Sequence, residues 1–369
     1  MKIGIDYRPV IAAPFSGISR QVLGMEKVFE STRGIGVLKF SPCSSDNKLR
    51  RSLKTPSKPG DESGLHRPTE RFRFEYGFLP NAIKEQELDV YIATANQGLP
   101  LWRKPKGFKS ILLLHDIFQL IYKGDSHKSI FKRLVYRCID YLSIRFSIKQ
   151  ADYIWTPSEY TKREVMKYFP KVESKIRVLP NLVAGISGEL KIRNTYGFPA
   201  KYWLIVGISE PRKNIPWFIE AWKNARNQNL SIPDLILVGD RAELPENLRN
   251  EKGLHFMTGI SDEILHALYS YAELLWMPSY AEGFGLPVIE ALSVGTPVAT
   301  AYGSSLDEIT PEISLRFDSS NAKKLCELMY SICEDPLEVN KKQLQDWAQK
   351  FSMQEYSKRL LELLDEVKK

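Results

Sequence analysis

Short apolar runs alternate with amphipathic stretches along most of this chain. The runs have the length of β-strands, and the stretches between them have the apolar spacing of helices. This alternation is typical of βα units, whose right-handed crossovers build doubly wound, Rossmann-like α/β sheets. The predicted strands are 2–6, 35–40, 89–93, 110–115, 152–156, 176–179, 203–207, 235–239, 254–257, 274–278 and 297–301.

The length of the chain, 369 residues, predicts more than one domain, because a single hydrophobic core rarely grows that large. Asn, Gly and Ser residues cluster at 181–198, where a second series of βα units begins. We therefore predict an N-terminal domain over 1–182 and a C-terminal domain over 183–350. A last amphipathic pattern predicts a helix within 351–369.

The cysteine content and the hydropathy both indicate a cytoplasmic protein. Only four cysteines are present, without C-x-x-C spacing, which is typical of a reducing compartment and gives no structural zinc site. The first residues are predicted as a strand rather than a signal peptide. No run approaches the roughly 20 uncharged apolar residues of a transmembrane helix.

The net charge of +8 is unevenly distributed. Residues 1–180 contain 32 Lys and Arg against 18 Asp and Glu, a net charge of +14, and the rest of the chain contains 20 against 26, a net charge of −6. A nucleic-acid-binding protein would be basic over its whole surface, so no nucleic-acid partner is expected. The asymmetry favours contact of the first half with an anionic lipid-linked acceptor or with the inner face of the plasma membrane.

Two basic segments belong to this first half. The pattern of residues 128–149 predicts a long helix with six basic residues and one acid. One face of this helix can pack on the core while the opposite face contacts a membrane, so both interpretations are compatible with the pattern. Residues 41–73 are rich in Ser, Pro and basic residues and favour a disordered surface loop over an ordered one.

Two glutamates eight positions apart, Glu282 and Glu290, flank a Gly-Phe-Gly turn that runs into Pro287. Proline is favoured in the first turn of a helix, so we predict a helix that begins near Leu286 or Pro287. The dipole and the unpaired N–H groups of such a helix start suit an anionic or oxygen-rich ligand. Two solvated acids at a helix entry are the simpler interpretation of this segment alone.

A basic pair, Arg212 and Lys213, follows the apolar run 202–207. An arginine fork and a lysine point charge can together neutralise a diphosphate. In open α/β sheets ligands bind beyond the carboxyl ends of the strands, so this pair and the two glutamates point to one site. We expect both basic side chains to face solvent.

Together these motifs resemble those of the retaining glycosyltransferases of family 4, which have the GT-B fold, two Rossmann-like domains that face each other across a cleft. The resemblance extends to residues 16–20, 111–116, 177–181 and 304–308. It also implies that the helix predicted within 351–369 crosses back onto the N-terminal domain. The chain departs from the family pattern at Leu182 in place of glycine, Asp307 in place of proline and Ile208 in place of an additional phosphate-binding arginine.

The resemblance implies a set of roles in the C-terminal domain. Glu282 lies at the donor sugar, Glu290 holds the nucleoside ribose, and Arg212 and Lys213 bind the diphosphate and stabilise its departure. Phe284, Gly285 and Leu286 complete the donor-binding loop. In this family the leaving phosphate assists a front-face attack, so Glu282 is not expected to be a nucleophile.

The N-terminal domain supplies four further candidates. Gly17 resembles the family's glycine loop against the nucleotide sugar, and Arg20 is either a surface residue or a contact to phosphate or acceptor. His115 is either a packing residue or a catalytic histidine near the sugar, and function is slightly favoured. Asp116 is expected to contact substrate or to cap the segment that follows it.

The resemblance implies transfer of a hexose from a nucleotide sugar to a glycan or lipid-linked acceptor in bacterial surface polysaccharide or lipopolysaccharide synthesis. Segment 210–214 resembles mannosyl- and rhamnosyltransferases, which makes GDP-mannose the first expected donor. Because the sequence lacks a D-x-D pair, neither a metal ion nor another cofactor is expected. The alternatives are a sugar-nucleotide epimerase of similar fold and an inactive sugar-nucleotide-binding scaffold.

Overall fold

The computed structural model describes residues 1–14, 16–41, 65, 67–100, 107–121, 130–183 and 197–368. For residues 119 and 130–137 the description covers the backbone only. The chain forms two compact units. Unit 1 contains Met1–Leu182 and Met353–Lys369, and unit 2 contains Val183–Ser352. The segment predicted as the last helix therefore belongs to the same unit as the start of the chain.

Unit 1 is built on a parallel sheet of six strands in the order β2-β1-β3-β4-β5-β6. The strands are β1 (Lys2–Asp6), β2 (Gly36–Phe40), β3 (Val90–Ala93), β4 (Lys109–Leu113), β5 (Tyr153–Thr156) and β6 (Ile176–Val178). Its helices are α1 (Arg8–Ala12), α2 (Gly17–Ser31), α3 (Pro68–Phe72), α4 (Leu79–Glu85), α5 (Phe118–Ile121), α6 (Ile130–Gln150), α7 (Glu159–Tyr168) and α14 (Met353–Lys368), with a π-helical segment at Arg73–Phe78 and a 3₁₀ helix at Pro170–Lys175.

Unit 2 is built on a second parallel sheet of six strands in the order β12-β11-β10-β7-β8-β9. The strands are β7 (Tyr202–Val206), β8 (Asp234–Val238), β9 (Leu254–Met257), β10 (Leu274–Met277), β11 (Val298–Ala301) and β12 (Leu315–Phe317). Its helices are α8 (Ile215–Gln228), α9 (Asp262–Tyr271), α10 (Leu286–Ser293), α11 (Leu306–Ile309), α12 (Ala322–Glu334) and α13 (Lys341–Ala348), with 3₁₀ turns at Pro211–Lys213, Arg241–Glu243, Glu246–Leu248 and Gln349–Phe351.

The two sheets confirm the prediction of doubly wound α/β architecture. The central strands β3 and β10 are buried along their whole length, as expected for parallel strands covered by helices on both faces. Ser261 caps α9 by accepting a hydrogen bond from the N–H of Ile264, as its position before the first-turn acids predicts. Strand β12 was not predicted.

The last helix, α14, completes the core of unit 1. Its buried residues recur with helical spacing and join the cluster around β1 and β3; they are Tyr356, Leu360, Leu363, Leu364 and Val367. Arg177 lies on strand β6, and its guanidinium pairs with the Glu366 carboxylate of α14 at 2.7 Å. The helix therefore belongs structurally to a domain that begins at the other end of the sequence.

Both basic segments of unit 1 include helix. The long predicted helix is present as α6 over Ile130–Gln150, and the first two residues of the predicted range lie outside the described residues. Most of the predicted loop at 41–73 lies outside the described residues, but α3 occupies Pro68–Phe72, so the loop prediction is wrong there. Among the helices of the described ranges, none is long and apolar enough to cross a bilayer.

Candidate functional site

The Glu282 loop joins strand β10 to helix α10 at the carboxyl edge of the second sheet. Helix α10 begins at Leu286, which confirms the predicted helix start. Gly285 precedes it with φ of +107°, and a Cβ there would lie 2.7 Å from Leu306 Cδ2. Glycine is required at this position both by the backbone conformation and by the close approach of Leu306.

The Glu282 carboxylate is held on both oxygens. It is almost fully buried, and Oε1 accepts a hydrogen bond from Ser279 Oγ at 2.8 Å. Oε2 forms an ion pair with Arg212. The backbone of the loop is anchored by Ser305, whose Oγ lies 2.8 Å from the carbonyl oxygens of both Glu282 and Phe284. This glutamate is therefore oriented before any ligand is present.

Arg212 connects the two predicted motifs directly. Its Nε donates to Glu210 Oε2 at 2.7 Å, and its Nη1 donates to the carbonyl of Ala281 at 3.0 Å as well as to Glu282. The side chain is only 13% exposed, so the prediction that Arg212 faces solvent is wrong. Burial acts to lower the pKa of the guanidinium, but the charges of Glu282 and Glu210 outweigh it and raise that pKa.

Lys213 lies beside Arg212 in the 3₁₀ turn after strand β7 and is half-buried. Its Nζ would be 2.8 Å from a Cβ at Gly207, which has φ of +79°. The absence of a side chain at Gly207 therefore leaves room for the ammonium over the backbone. Within the described ranges, no carboxylate forms an ion pair with Lys213, and its charge is thus less compensated than that of Arg212.

Glu290 lies in the second turn of helix α10 and is buried. Its Oε2 accepts a hydrogen bond from the hydroxyl of Tyr269 at 2.6 Å. Tyr269 was not predicted as a site residue; it lies on α9, and its own backbone carbonyl accepts a hydrogen bond from Thr296 Oγ1 at 2.6 Å. Tyr269 therefore fixes the orientation of the second glutamate of the pair.

Gly17 and Arg20 lie at the start of helix α2 in unit 1. Gly17 is the first helical residue, directly after the N-cap residue Ser16, and its contact with the nucleotide sugar stays a prediction. Ser16 caps the helix by accepting from the N–H of Ser19 at 3.2 Å. The N–H of Arg20 donates to the carbonyl of Ser16, and the Arg20 side chain is half-buried. Arg20 stays a candidate contact on this unit.

His115 and Asp116 follow strand β4, which ends at Leu113 rather than at His115 as predicted. The imidazole Nε2 of His115 lies 2.9 Å from the carbonyl oxygen of Thr94, and burial lowers the pKa of this histidine. Asp116 Oδ1 accepts from the N–H of Phe118 at 3.2 Å, which is the capping role among its two predicted alternatives. Both side chains thus hold neighbouring backbone in place.

A buried charge cluster at the end of β1 was not predicted. Arg8 donates from Nε and Nη2 to the two carboxylate oxygens of Asp6, at 2.9 and 2.7 Å. Glu75 Oε1 lies 3.8 Å from Arg8 Nη2 without reaching a hydrogen bond. Burial raises the pKa of Glu75 to about 7, against the opposing effect of Arg8. Asp6 at the end of a strand was the only sequence signal for this cluster.

Strands β7 and β10 are neighbours in the sheet, and this adjacency brings the two motifs together. Arg212 and Glu282 are in contact, and Tyr280 donates its N–H to the carbonyl of Arg212 at 3.0 Å. The arrangement offers cationic groups for a phosphate and an oriented carboxylate for sugar hydroxyls. In the described part of the chain, no three His, Cys, Asp or Glu side chains cluster as metal ligands would.

Comparisons with known proteins agree with this geometry. Residues 190–351 match the family model of glycosyl transferases group 1. The O-antigen chain mannosyltransferase B of Escherichia coli is 28% identical over 208 residues, which cover 52% of this chain and 55% of that protein. The chain thus spans about half the length of this curated relative.

Solved structures resemble the whole chain. Sucrose-phosphate synthase from Thermosynechococcus elongatus superposes with a TM-score of 0.72 at 19% identity, covering 99% of this chain and 98% of that one. HepE of Anabaena in complex with UDP superposes with a TM-score of 0.64 at 15% identity, covering 99% of both chains. Residues 190–351 are thus similar to the glycosyl transferases group 1, in a chain that has the GT-B fold.

Proposed function

We propose that this protein is a retaining glycosyltransferase. It moves a hexose from a nucleotide sugar to a glycan or lipid-linked acceptor in the synthesis of a bacterial surface polysaccharide. The observation that carries the proposal is the contact of Arg212 with Glu282 beside Lys213, at the carboxyl edge of one sheet. This contact supports the proposal that the basic pair binds phosphate and that Glu282 binds sugar hydroxyls in the same site.

The charges of the site suit a donor that leaves as a diphosphate. Glu210 and Glu282 compensate the charge of Arg212, whereas Lys213 has no such carboxylate partner among the described residues. We assign Lys213 and the start of helix α10 to the diphosphate, and Arg212 to both the diphosphate and Glu282. Glu290, oriented by Tyr269, is assigned to the ribose hydroxyls.

The donor is proposed to be GDP-mannose. The support is the name of the E. coli relative, an O-antigen chain mannosyltransferase. HepE, whose structure was solved with UDP, makes a uridine nucleotide the competing choice. An epimerase would need acid and base groups for proton transfer at the sugar, whereas the basic pair Arg212 and Lys213 beside Glu282 supports transfer with a departing diphosphate.

The first experiment compares nucleotide sugars. The protein is incubated with GDP-mannose, UDP-glucose and UDP-N-acetylglucosamine, and melting temperature, nucleotide release and glycan product are followed. We expect GDP-mannose to raise the melting temperature most and the product to keep the anomeric configuration of the donor. A product of inverted configuration, or an epimerised sugar nucleotide without transfer, would refute the proposed reaction.

Lys213→Ala tests the donor site, with Lys201→Ala as the matched control at the opposite end of strand β7. Loss of Lys213 should cost on the order of 2–4 kcal/mol of transition-state stabilisation, because it removes a charge aimed at the leaving group. Lys201 is exposed and pairs loosely with Glu273 at 3.7 Å, so its loss should leave turnover unchanged. Equal turnover in both variants would remove Lys213 from the site.

Metal independence is part of the proposal, since Arg212, Lys213 and a helix start supply positive charge. Turnover should persist in excess EDTA. If EDTA abolished turnover and magnesium or manganese restored it, the assignment of charge neutralisation to these residues would be incorrect.

We also propose that unit 1 docks on the anionic inner face of the plasma membrane. A groove of about 570 Å³ lies between α3 with its π-helical extension and α6, and its wall includes Phe72, Leu142, Arg145 and Lys149. Phe72 and Leu142 are 54% and 56% exposed. Exposed apolar side chains bordered by basic ones are typical of interfacial membrane contacts.

Vesicle co-sedimentation tests the docking. Phe72→Ser combined with Leu142→Ser should weaken binding to vesicles that contain anionic lipid, and high salt should weaken binding of the unchanged protein. Leu230→Ser, at an exposed leucine of unit 2, is the matched control and should bind normally. Binding that is insensitive to salt and to the paired substitution would contradict the docking proposal.

A further inference from the structure

Ser279 is buried completely and lies three residues before Glu282, in the segment that follows strand β10. Its hydroxyl reaches Glu282 Oε1 at 2.8 Å, while Arg212 contacts Oε2 from the turn after β7. The carboxylate is thus held from two separate elements of the sheet edge. The neutral hydroxyl of Ser279 holds Oε1, and the cationic guanidinium of Arg212 holds Oε2.

A phosphate ligand affects the two hydrogen-bond donors, Ser279 and Arg212, differently. A diphosphate competes with Glu282 and Glu210 for the charge of Arg212, because all three are anions that the same guanidinium can pair with. The hydroxyl of Ser279 carries no charge and is buried away from solvent. A phosphate therefore competes only weakly for its hydrogen bond. When Arg212 turns toward the donor, the bond from Ser279 is the one that stays on the carboxylate.

We propose that Ser279 is a positioning residue, which keeps Glu282 aligned with the donor sugar while Arg212 shifts its charge to the diphosphate. The inference rests on the proposed function of the site. Arg212 alone cannot fill this role, because its guanidinium pairs with both the diphosphate and the Glu282 carboxylate. Misplacement of a group at the reacting sugar by about 1 Å can lower turnover roughly a hundredfold.

Ser305 provides a matched control in the same loop. It is equally buried, but its hydroxyl reaches the carbonyl oxygens of Glu282 and Phe284 rather than the carboxylate. Ser305→Ala therefore removes an anchor of the loop backbone and leaves the carboxylate bond intact. Comparison of Ser279→Ala with Ser305→Ala separates alignment of the side chain from general support of the loop.

The experiment is a double-mutant cycle on turnover, with Ser279→Ala, Glu282→Ala and the double variant, assayed with the donor that the unchanged protein uses. Ser279→Ala should lower kcat by roughly tenfold to a hundredfold with KM for the donor within about twofold of the unchanged protein. In the Glu282→Ala background the same substitution should have no further effect. Folding of each variant is checked by its melting temperature and by its stabilisation with free nucleoside diphosphate.

The outcomes separate this inference from the function beneath it. An unchanged protein that transfers no sugar from any donor in the panel refutes both. Turnover in the unchanged protein, with kcat losses of Ser279→Ala and Glu282→Ala that multiply in the double variant, refutes the positioning role alone. The positioning role is also refuted if Ser279→Ala raises KM for the sugar donor instead of lowering kcat, or if its kcat falls no further than that of Ser305→Ala.

Discussion

At the scale of single residues, Arg212 combines a binding role with a structural one. Its guanidinium satisfies the buried carboxylate of Glu282 and the carbonyl of Ala281, so it holds the loop as well as presenting charge. A buried ion pair contributes little compared with apolar packing, but removal of one partner leaves the other charge uncompensated. The two basic residues of the motif should therefore respond differently to substitution.

We predict that Arg212→Ala lowers the free energy of unfolding by about 3–5 kcal/mol, because it leaves the Glu282 carboxylate buried without its cation. Lys213→Ala should lower it by less than about 0.5 kcal/mol, as a residue without a carboxylate partner in the described structure. Urea unfolding followed by fluorescence measures both. Arg212→Ala combined with Glu282→Gln should recover part of the loss, and equal stability of the two single variants would contradict the structural role of Arg212.

Gly285 supports a second prediction at this scale. Gly285→Ala should lower the free energy of unfolding by more than 2 kcal/mol or so, since it strains a backbone with φ of +107° and places Cβ 2.7 Å from Leu306. Gly303→Ala is the control, because Gly303 has φ of +95° but nothing within 4 Å of a Cβ. A similar loss in both variants would show that backbone strain alone accounts for the requirement.

The types and spacing of the site residues could be predicted from the sequence, but the contacts between them could not. The turn at Gly285 and the helix after it are local features, set by the Gly-Phe-Gly-Leu-Pro order. The pairing of Arg212 with Glu282 joins residues 70 positions apart and depends on β7 and β10 being neighbours in the sheet. For the same reason Tyr269, on a different helix from Glu290, gave no signal.

At the scale of elements, strands were predicted where apolar residues run without interruption. Strand β12 is only three residues long and has Arg316 at its centre, so it lacked the pattern that identified the others. The π-helical segment Arg73–Phe78 has no local sequence signature either, and it contains Glu75, whose Oε1 lies 3.8 Å from Arg8 Nη2. Such irregular elements follow from tertiary contacts rather than from periodicity.

Glu75 gives this element a testable pH dependence. Its folded-state pKa of about 7 lies above the ordinary value of 4.5, so the folded state keeps a proton that the unfolded state has lost. The groups that face Glu75 are Arg8, Arg71 and Asp6. By linkage, the free energy of unfolding should fall as pH rises from roughly 4.5 to 7, by an amount on the order of 2–3 kcal/mol.

Glu75→Gln should flatten this slope between about pH 4.5 and 7, because the amide cannot ionise. Glu85→Gln, at an exposed position of the adjoining helix α4, is the control and should keep the slope of the unchanged protein. Urea unfolding at several pH values provides the measurement. An unaltered slope in Glu75→Gln would mean that Glu75 is ionised in the folded protein throughout this range.

At the scale of the whole molecule, the two units are unequal in how the chain builds them. Unit 2 is a continuous segment, whereas unit 1 needs α14 from the far end of the sequence. Five buried apolar side chains of α14 complete the core of unit 1. At about 1.5–3 kcal/mol each, their burial is comparable with the total stability of a typical domain.

Removal of residues 353–369 should therefore unfold unit 1 while unit 2 keeps its own transition. Limited proteolysis identifies the surviving segment, and fluorescence follows the fully buried tryptophans of unit 2, Trp203, Trp222 and Trp276. Leu364→Ala should lower the stability of unit 1 by about 2–5 kcal/mol, whereas Lys358→Ala, on the exposed face of the helix, should not. A truncated protein with both transitions intact would contradict the structural role of α14.

This connectivity has a consequence for how the protein is made. During synthesis the segment Met1–Leu182 leaves the ribosome first, yet it must wait for Val367 before its apolar core can close. Residues 183–352 emerge later but already contain every strand of their sheet, so they can fold while the end of the chain is still being translated. The unit that carries the two glutamates is therefore expected to reach its native state before the unit that contains Met1–Leu182.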